Sequence, residues 1–281
     1  MRRLAWLFCV GAGCNVAFGI ATQAPPLEGS DLDGDGIADD QDPCIAPASD
    51  AAADIDGDAI ADAMDPCPLR ATADPTNADH DDLEDACDPS VGSIDTLRCV
   101  MAFTDVGVSD RLWQPITGLI PFGHLAGKLH CNHGDDCGAL AAESLEPASS
   151  VTTYEVRTTV ATTLGEIGGV AIWPRLGPTG TAGEVGCAFV NSTGAYSVAI
   201  FEDSTVLSRV MAQPLTGSTL FLRASISSGP QATFTCNASF DGTYDPTTER
   251  SVVVPAIPGT FGVTSSTWGT DILGLAVIQS P

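Results

Sequence analysis

Positive charge is scarce in this 281-residue chain: lysine occurs once, as Lys128, and Lys plus Arg total 11 against 36 Asp plus Glu. A formal net charge of -25 excludes nucleic acid as a partner, because binding to phosphate needs a basic footprint. It also excludes electrostatic adsorption to anionic lipid. Long apolar runs are missing as well. The N-terminal one, Leu4 to Ile20, is broken by Gly11, Gly13 and Asn15 and lies at the lower limit for spanning a bilayer. After residue 90 no ten-residue stretch shows convincing 3.6-residue periodicity, so the chain is not read as helical. No G-x-S-x-G elbow, H-E-x-x-H helix or E-x-D-x-x-E strand is present, which argues against the commonest hydrolase chemistries.

What the N-terminus does contain is an export signal. Arg2 and Arg3, the apolar run and the small residues at its end predict a secretory signal over residues 1–21, followed by a linker over 22–30. Two processing routes fit. Ala17-Phe18-Gly19 and Gly19-Ile20-Ala21 suit ordinary cleavage, whereas Val10-Gly11-Ala12-Gly13-Cys14 resembles a bacterial lipobox that would make Cys14 a lipid anchor. The expected location is therefore the cell envelope or the extracellular medium. Both routes leave eight of the ten cysteines, an even number suited to disulfides in an oxidising compartment. Short-loop closure favours nearest neighbours: 44–67, 87–99, 131–137 and 187–236.

Most of the negative charge lies in a repeat. DLDGDGIADDQDPC (31–44), DIDGDAIADAMDPC (54–67) and NADHDDLEDACDP (77–89) recur at a fixed offset of 23 residues. Residues 31–89 carry 18 Asp and one Glu against Arg70, which accounts for -18 of the total. Carboxylates at loop positions 1, 3, 5 and 12, around a turn, wrap oxygens about one hard cation; six to eight ligands at flexible geometry suit Ca²⁺ better than Mg²⁺. The candidate ligands are Asp31, Asp33, Asp35, the Ile37 carbonyl, Asp39 and Asp42 in copy one. Copy two offers Asp54, Asp56, Asp58, Ile60, Asp62 and Asp65; copy three offers Asn77, Asp79, Asp81, Leu83, Asp85 and Asp88. Thiolate and imidazole are absent from these positions, which argues against zinc or copper. An acidic linker would need no such spacing, and an EF-hand would need flanking helices that the Asp-Pro and Pro-x-Ala flanks disfavour.

These motifs, D-x-D-G-D-G-I-x-D-x-x-D-P-C and N-x-D-x-D-x-L-x-D-x-C-D, resemble thrombospondin type 3 repeats over residues 31–89. The resemblance implies a calcium-wrapped, disulfide-stapled rod with no hydrophobic core. It also implies a 67–87 disulfide, in conflict with nearest-neighbour pairing. Copy two has Ala59 where copy one has a turn glycine, and copy three has Asp82; a left-handed backbone costs a residue with a Cβ roughly 1–2 kcal/mol.

From about Ile94 to 281 short Val/Thr/Ile/Phe runs alternate with Gly and Pro. Eleven strands are predicted: Leu97–Phe103, Thr152–Val160, Gly169–Trp173, Val185–Val190, Ala195–Phe201, Val206–Met211, Leu220–Ile226, Ala232–Phe240, Ser251–Val254, Thr260–Val263 and Ile272–Ile278. Only Cys137–Leu145 suggests a short helix. The predicted class is all-β, a jelly-roll β-sandwich. The order of Thr153-Tyr154-Glu155-Val156, Gly168-Gly169-Val170-Ala171, Ala195-Tyr196-Ser197-Val198, Thr219-Leu220-Phe221-Leu222-Arg223, Gly259-Thr260-Phe261-Gly262-Val263 and Asp271 to Val277 is similar to that of concanavalin A-like, laminin G-like domains. That resemblance implies a glycan or surface-protein ligand, and so adhesion or recognition. The rival it leaves open is a secreted glycan-degrading hydrolase or lyase.

Single features add little to this choice. Glu155, Glu166, Glu202 and Asp241 are scattered and read as exposed. The cluster His130 to Cys137 fits a Cys131–Cys137 disulfide, with zinc held by His130, His133 and a cysteine as the alternative. Trp113, Trp173 and Trp268 either stack on sugar or pack in the core. Copy one, with its turn glycine intact, is expected to bind calcium most tightly. Isothermal titration checks this: Asp31→Ala/Asp33→Ala should lose the highest-affinity calcium, and an unchanged titration would overturn the ranking.

Overall fold

Alternation of apolar and polar side chains fixes which way each strand faces. The computed structural model describes residues 38, 44, 52–72, 75–104, 106, 113–116, 118–141, 151–161, 166–176, 184–192, 194–203, 205–212, 219–240, 245–255 and 260–281. The predicted signal, the linker and all six candidate ligands of copy one lie outside the described residues.

Fifteen strands are described. The first five are β1 (Thr96–Met101), β2 (Trp113–Pro115), β3 (Gly123–His124), β4 (Leu129–Cys131) and β5 (Asp136–Ala141). There follow β6 (Val151–Ala161), β7 (Gly168–Leu176), β8 (Val185–Ser192), β9 (Ala195–Glu202) and β10 (Thr205–Met211). The last are β11 (Thr219–Ser227), β12 (Gln231–Phe240), β13 (Arg250–Pro255), β14 (Thr260–Ser266) and β15 (Gly269–Ser280). One sheet has the order β13-β12-β11-β6-β15-β4-β3, with β1 also beside β15; the other has the order β10-β9-β8-β7-β14-β5-β2. Strand β6 runs antiparallel to both β11 and β15. The molecule is the expected jelly-roll β-sandwich, and all eleven predicted strands are present with ends shifted by a few residues.

The predicted helix over Cys137–Leu145 is a correction: Asp136–Ala141 is strand β5, paired with β14 and β2, and 142–145 lie outside the described residues. Its glycine explains why the strand runs there. A Cβ on Gly138 would come within 2.5 Å of Leu119 and 2.8 Å of Ile116, so β5 slides beneath that turn.

Between the sheets lie Tyr154, Val156 and Val160 of β6, Leu220, Leu222 and Ala224 of β11, and Phe189 and Val198 from the opposite sheet, all buried. Trp113 and Trp268 are buried in this core, Trp268 against Phe189 and Tyr196. Two disulfides join the sheets, Cys187–Cys236 from β8 to β12 and Cys131–Cys137 from β4 to β5. The others are Cys67–Cys87 and Cys44–Cys99. Nearest-neighbour pairing therefore fails for 44–67 and 87–99: loop length was not the deciding cost, because packing on the sheet brings Cys67 to Cys87 and Cys44 to β1.

The two described repeats do not form a free rod. Copies two and three lie on the outer face of the first sheet, where Leu69 and Ile55 pack on Phe221 and Ala276. Leu83 and the Cys67–Cys87 pair pack on Ile278. Gly274 makes room for this layer, since a Cβ there would meet Ile55 at 2.7 Å and Leu69 at 2.9 Å. Among the described residues no helix is long and apolar enough to cross a membrane.

Closing the loop of 49 residues between Cys187 and Cys236 restricts the unfolded chain, so the double alanine variant should lose about 4 kcal/mol. Chemical denaturation under non-reducing conditions measures it; a loss below ~1 kcal/mol would assign the bond no such role.

Candidate metal centres

Both described repeats fold through the same local hydrogen bonds, displaced by 23 residues. In copy two the Gly57 amide donates to Asp54 Oδ1 (2.7 Å), Asp58 N–H to Asp56 Oδ1 (3.0 Å), and Ile60 N–H to Asp58 Oδ1 (2.8 Å). In copy three His80 N–H donates to Asn77 Oδ1 (2.6 Å), Asp81 N–H to Asp79 Oδ1 (3.4 Å), and Leu83 N–H to Asp81 Oδ1 (2.7 Å). Asp62 and Asp85 accept from the amides of Ile55 (3.0 Å) and Ala78 (2.8 Å). Asp65 and Asp88 accept from Cys67 (2.8 Å) and Ser90 (2.6 Å). Short aspartate side chains that bond to an amide two or three residues on are what hold such loops without a core.

The fold then gathers the carboxylates. Oxygens of Asp54, Asp56 and Asp58 lie within 4.8 Å of one another, and so do those of Asp79, Asp81 and Asp88. Each of Asp56, Asp65, Asp79 and Asp88 uses Oδ1 for the amide, while its Oδ2 is buried with no hydrogen-bond partner. A buried, unpaired carboxylate oxygen is costly. Burial, chiefly, pushes the Asp56 and Asp88 carboxyls up to about 7, with neighbouring aspartates adding to the shift. Asp65 is raised for the same main reason. Oxygen-only donors with free lone pairs and excess negative charge fit a hard divalent cation, which would restore the ionised form.

The two backbone carbonyl positions diverge in their side chains: Ile60 is 43% exposed, whereas Leu83 is buried against the first sheet. Ala59 has φ +75°, the strained turn expected there; Asp82 is not left-handed, and that role falls on His80 at φ +64°, matching Gly57 at φ +83°. Asn77 Nδ2 donates to the Asp81 carbonyl (2.9 Å), where Asp54 offers Oδ2 to Ala59 N–H (3.1 Å).

Arginines seat the loops on the sheet. Glu155, expected to be exposed, is buried on β6, with Arg70 Nε at 2.7 Å from one oxygen and Arg223 Nη2 at 2.6 Å from the other. Arg70 reaches the Ala86 carbonyl (3.3 Å), Arg223 the Cys87 carbonyl (2.6 Å), and Arg157 the Ile55 carbonyl (2.8 Å). Arg70 also lies 4.9 Å over the Phe221 ring. Alternation places Glu155, Phe221 and Arg223 on an outward face; the repeats turn that face into an interior. Asp95 carries no signal in the sequence either: it is buried, and its amide donates to Asp81 Oδ2 at 2.7 Å.

The zinc alternative at His130 to Cys137 fails, because both cysteines form a disulfide with each other. His130 Nδ1 lies 2.6 Å from Asp271, and His133 Nε2 2.7 Å from Glu166. Asp241 lies outside the described residues.

On the opposite sheet's outer face is a groove of about 410 Å³, lined by Trp173, Phe201, Ile167, Asn191, Thr264 and Asp203 among others. The Trp173 ring lies flat over β8: a Cβ on Gly186 would come within 2.5 Å of it. Its Nε1 donates to Thr264 Oγ1 at 2.9 Å.

No family model and no curated protein matches the chain. Solved structures do. The CBM2 module of the evolved Dit of Lactobacillus casei BL23 phage J-1 has 12% identity and TM-score 0.45, covering 66% of this chain and 96% of that one. The potassium-bound Emp46p carbohydrate recognition domain has 12% identity and TM-score 0.46, covering 62% and 91%. The legume lectin-like domain from Entamoeba histolytica has 8% identity and TM-score 0.45, covering 63% and 94%. At these scores the likeness assigns neither site nor ligand to this chain.

Burial opposes ionisation of Glu155, but Arg223 and Arg70 outweigh it and hold the carboxyl below the ordinary glutamate range. That stability is present above the unfolded glutamate value and is lost as pH falls through the folded one. Glu155→Gln strands two buried guanidinium groups and should cost about 3–5 kcal/mol. Urea titrations at pH 7 and pH 3 check both statements: the deficit of the variant relative to wild type should be full at pH 7 and shrink at pH 3.

Proposed function

We propose that this chain is an exported calcium-binding recognition protein that takes a glycan in the groove of its second sheet and serves adhesion at the cell envelope. The predicted signal and the pairing of all eight cysteines from Cys44 onward in disulfides support export. Asp54, Asp56, Asp58, Asp62 and Asp65 would hold calcium in copy two, with Asn77, Asp79, Asp81, Asp85 and Asp88 in copy three and the carbonyls of Ile60 and Leu83 beside them. Bound there, calcium supplies the positive charge that the repeats lack. Copy one, through Asp31, Asp33, Asp35, Ile37, Asp39 and Asp42, would do the same.

The observation that carries the glycan reading is the half-buried Trp173, held flat over Gly186 and locked by Thr264. The C–H face of a pyranose stacks on such a ring, and hydroxyls meet polar groups at the rim. Asp203, exposed on the groove's lining, supplies one. Hydrolysis needs two carboxylates across the scissile bond. Among the described lining residues Asp203 is the one carboxylate, which favours recognition over cleavage.

A glycan array with calcium present tests the reading. Wild type should bind at least one glycan class, and Trp173→Ala should bind it at least about tenfold more weakly with its thermal unfolding unchanged. Silence of the wild type on every array, or equal binding by the variant, would overturn the proposal.

A further inference from the structure

Against the third repeat's carboxylate cluster of Asp79, Asp81 and Asp88 lies an aspartate that does not belong to the repeat. We infer that Asp95, from the segment leading into β1, is a ligand of the cation held by copy three, so that this centre is built jointly by repeat and sandwich. The inference rests on the calcium reading above and deepens it.

Asp95 lies seven residues beyond Asp88, outside the 23-residue frame. Its counterpart in copy two is Thr72, whose hydroxyl is committed to Glu84. Asp95 nevertheless borders the third loop. Its amide donates to Asp81 Oδ2 (2.7 Å), and its carboxyl meets that of Asp88, with Asp81 and Asp79 close enough to repel it.

Proximity of acids alone would mean little. The independent observation is that Asp95 is 1% exposed and Asp88 7%, and each keeps a buried Oδ2 with no hydrogen-bond partner. Asp79 Oδ2 is in the same condition. Arg223 does not neutralise this group: its guanidinium is spent on Glu155 and on the main-chain carbonyls of Cys87 and Asp88. Asp79, Asp81 and Asp88 thus lie within 4.8 Å of one another, Asp95 adjoins them through Asp88 and Asp81, and three of the four keep a buried Oδ2 without a hydrogen bond. That is the donor chemistry of a hard divalent cation, and seven-fold oxygen coordination suits Ca²⁺.

The placement gives the ion a structural role at the seam between repeat and sheet. Asp95 directly precedes β1, where Thr96 pairs with Gln279 of β15. On the other side of the loop Leu83 and the Cys67–Cys87 disulfide pack on Ile278 of the same strand. A cation shared by Asp79, Asp81, Asp88 and Asp95 closes this seam from the repeat into the sheet.

Calorimetric titration of the calcium-stripped full chain with calcium chloride tests the assignment, comparing wild type, Asp95→Asn and, in the other loop, Asp58→Asn. Asp95→Asn should lose one class of sites or weaken it at least about tenfold, the lower scale for losing even an outer partner of a metal. Asp58→Asn should leave that class intact. Titration of Asp95→Asn indistinguishable from wild type overturns the assignment while leaving the calcium reading in place; a wild-type chain that takes up no calcium overturns both. Hydrogen exchange on the wild type needs no variant. Calcium should slow exchange over residues 93–97 together with 79–88, and slowing confined to 77–88 would place the centre within the repeat alone.

Discussion

Glu155 lies in the middle of a sheet face with an arginine on each side, one from the neighbouring strand and one from a repeat eighty-five residues earlier. A lone carboxylate could not be buried there; the desolvation cost would expel or protonate it. The converse holds for Arg70 and Arg223, which would be stranded without it. The three groups therefore define where the repeats can sit, and the remaining contacts elaborate that choice. The carbonyls of Ala86 and Cys87, the terminal turn of copy three, fill the other guanidinium donors. Around them Phe221, Ala276 and Ile278 supply the apolar surface that an Asp-rich chain does not supply itself.

Under the proposed calcium binding the same rule would govern the loops, with a cation in place of arginine. Asp56, Asp65, Asp79 and Asp88 shape the chain with one oxygen and leave the other without a hydrogen bond, so under the proposed calcium binding folding and ion would draw on different lone pairs of the same residues. The apparent surplus of negative charge is accordingly local and directional. It points into the loops, while the sandwich that carries them is only mildly acidic.

Much of this architecture is legible in the order of residues. The 23-residue period is visible because side chain-to-amide hydrogen bonds dictate residue type at alternate positions, and the pattern of Asp54–Asp65 recurs at Asn77–Asp88. The strands are visible because Tyr154, Val156, Thr158 and Val160 alternate with polar neighbours. Alternation fails where a third layer covers the sheet: it names a face, not what lies against it, and so Glu155 and Arg223 pass for surface residues. Four short strands escape because two to six residues cannot display a period, and β5 is interrupted by Gly138. Asp95 escapes because a residue recruited from outside a repeat carries no repeat signature. The cysteine pairs show the limit of chain-entropy reasoning, since 44–99 spans more chain than any alternative considered for Cys44.

That last bond decides what would follow if bound ions left the repeats. Cys44–Cys99 and the Arg70–Glu155 contact fasten the array to the sandwich at two separated points, one covalent. Loops that lose their cations can loosen between these points but cannot drift away. Redocking is then a search within one molecule, at an effective concentration set by a tether of 55 residues. Under the proposed calcium binding the repeats would thus act as a captive strap, one that fluctuating ion levels slacken and retighten many times without the parts having to find each other again.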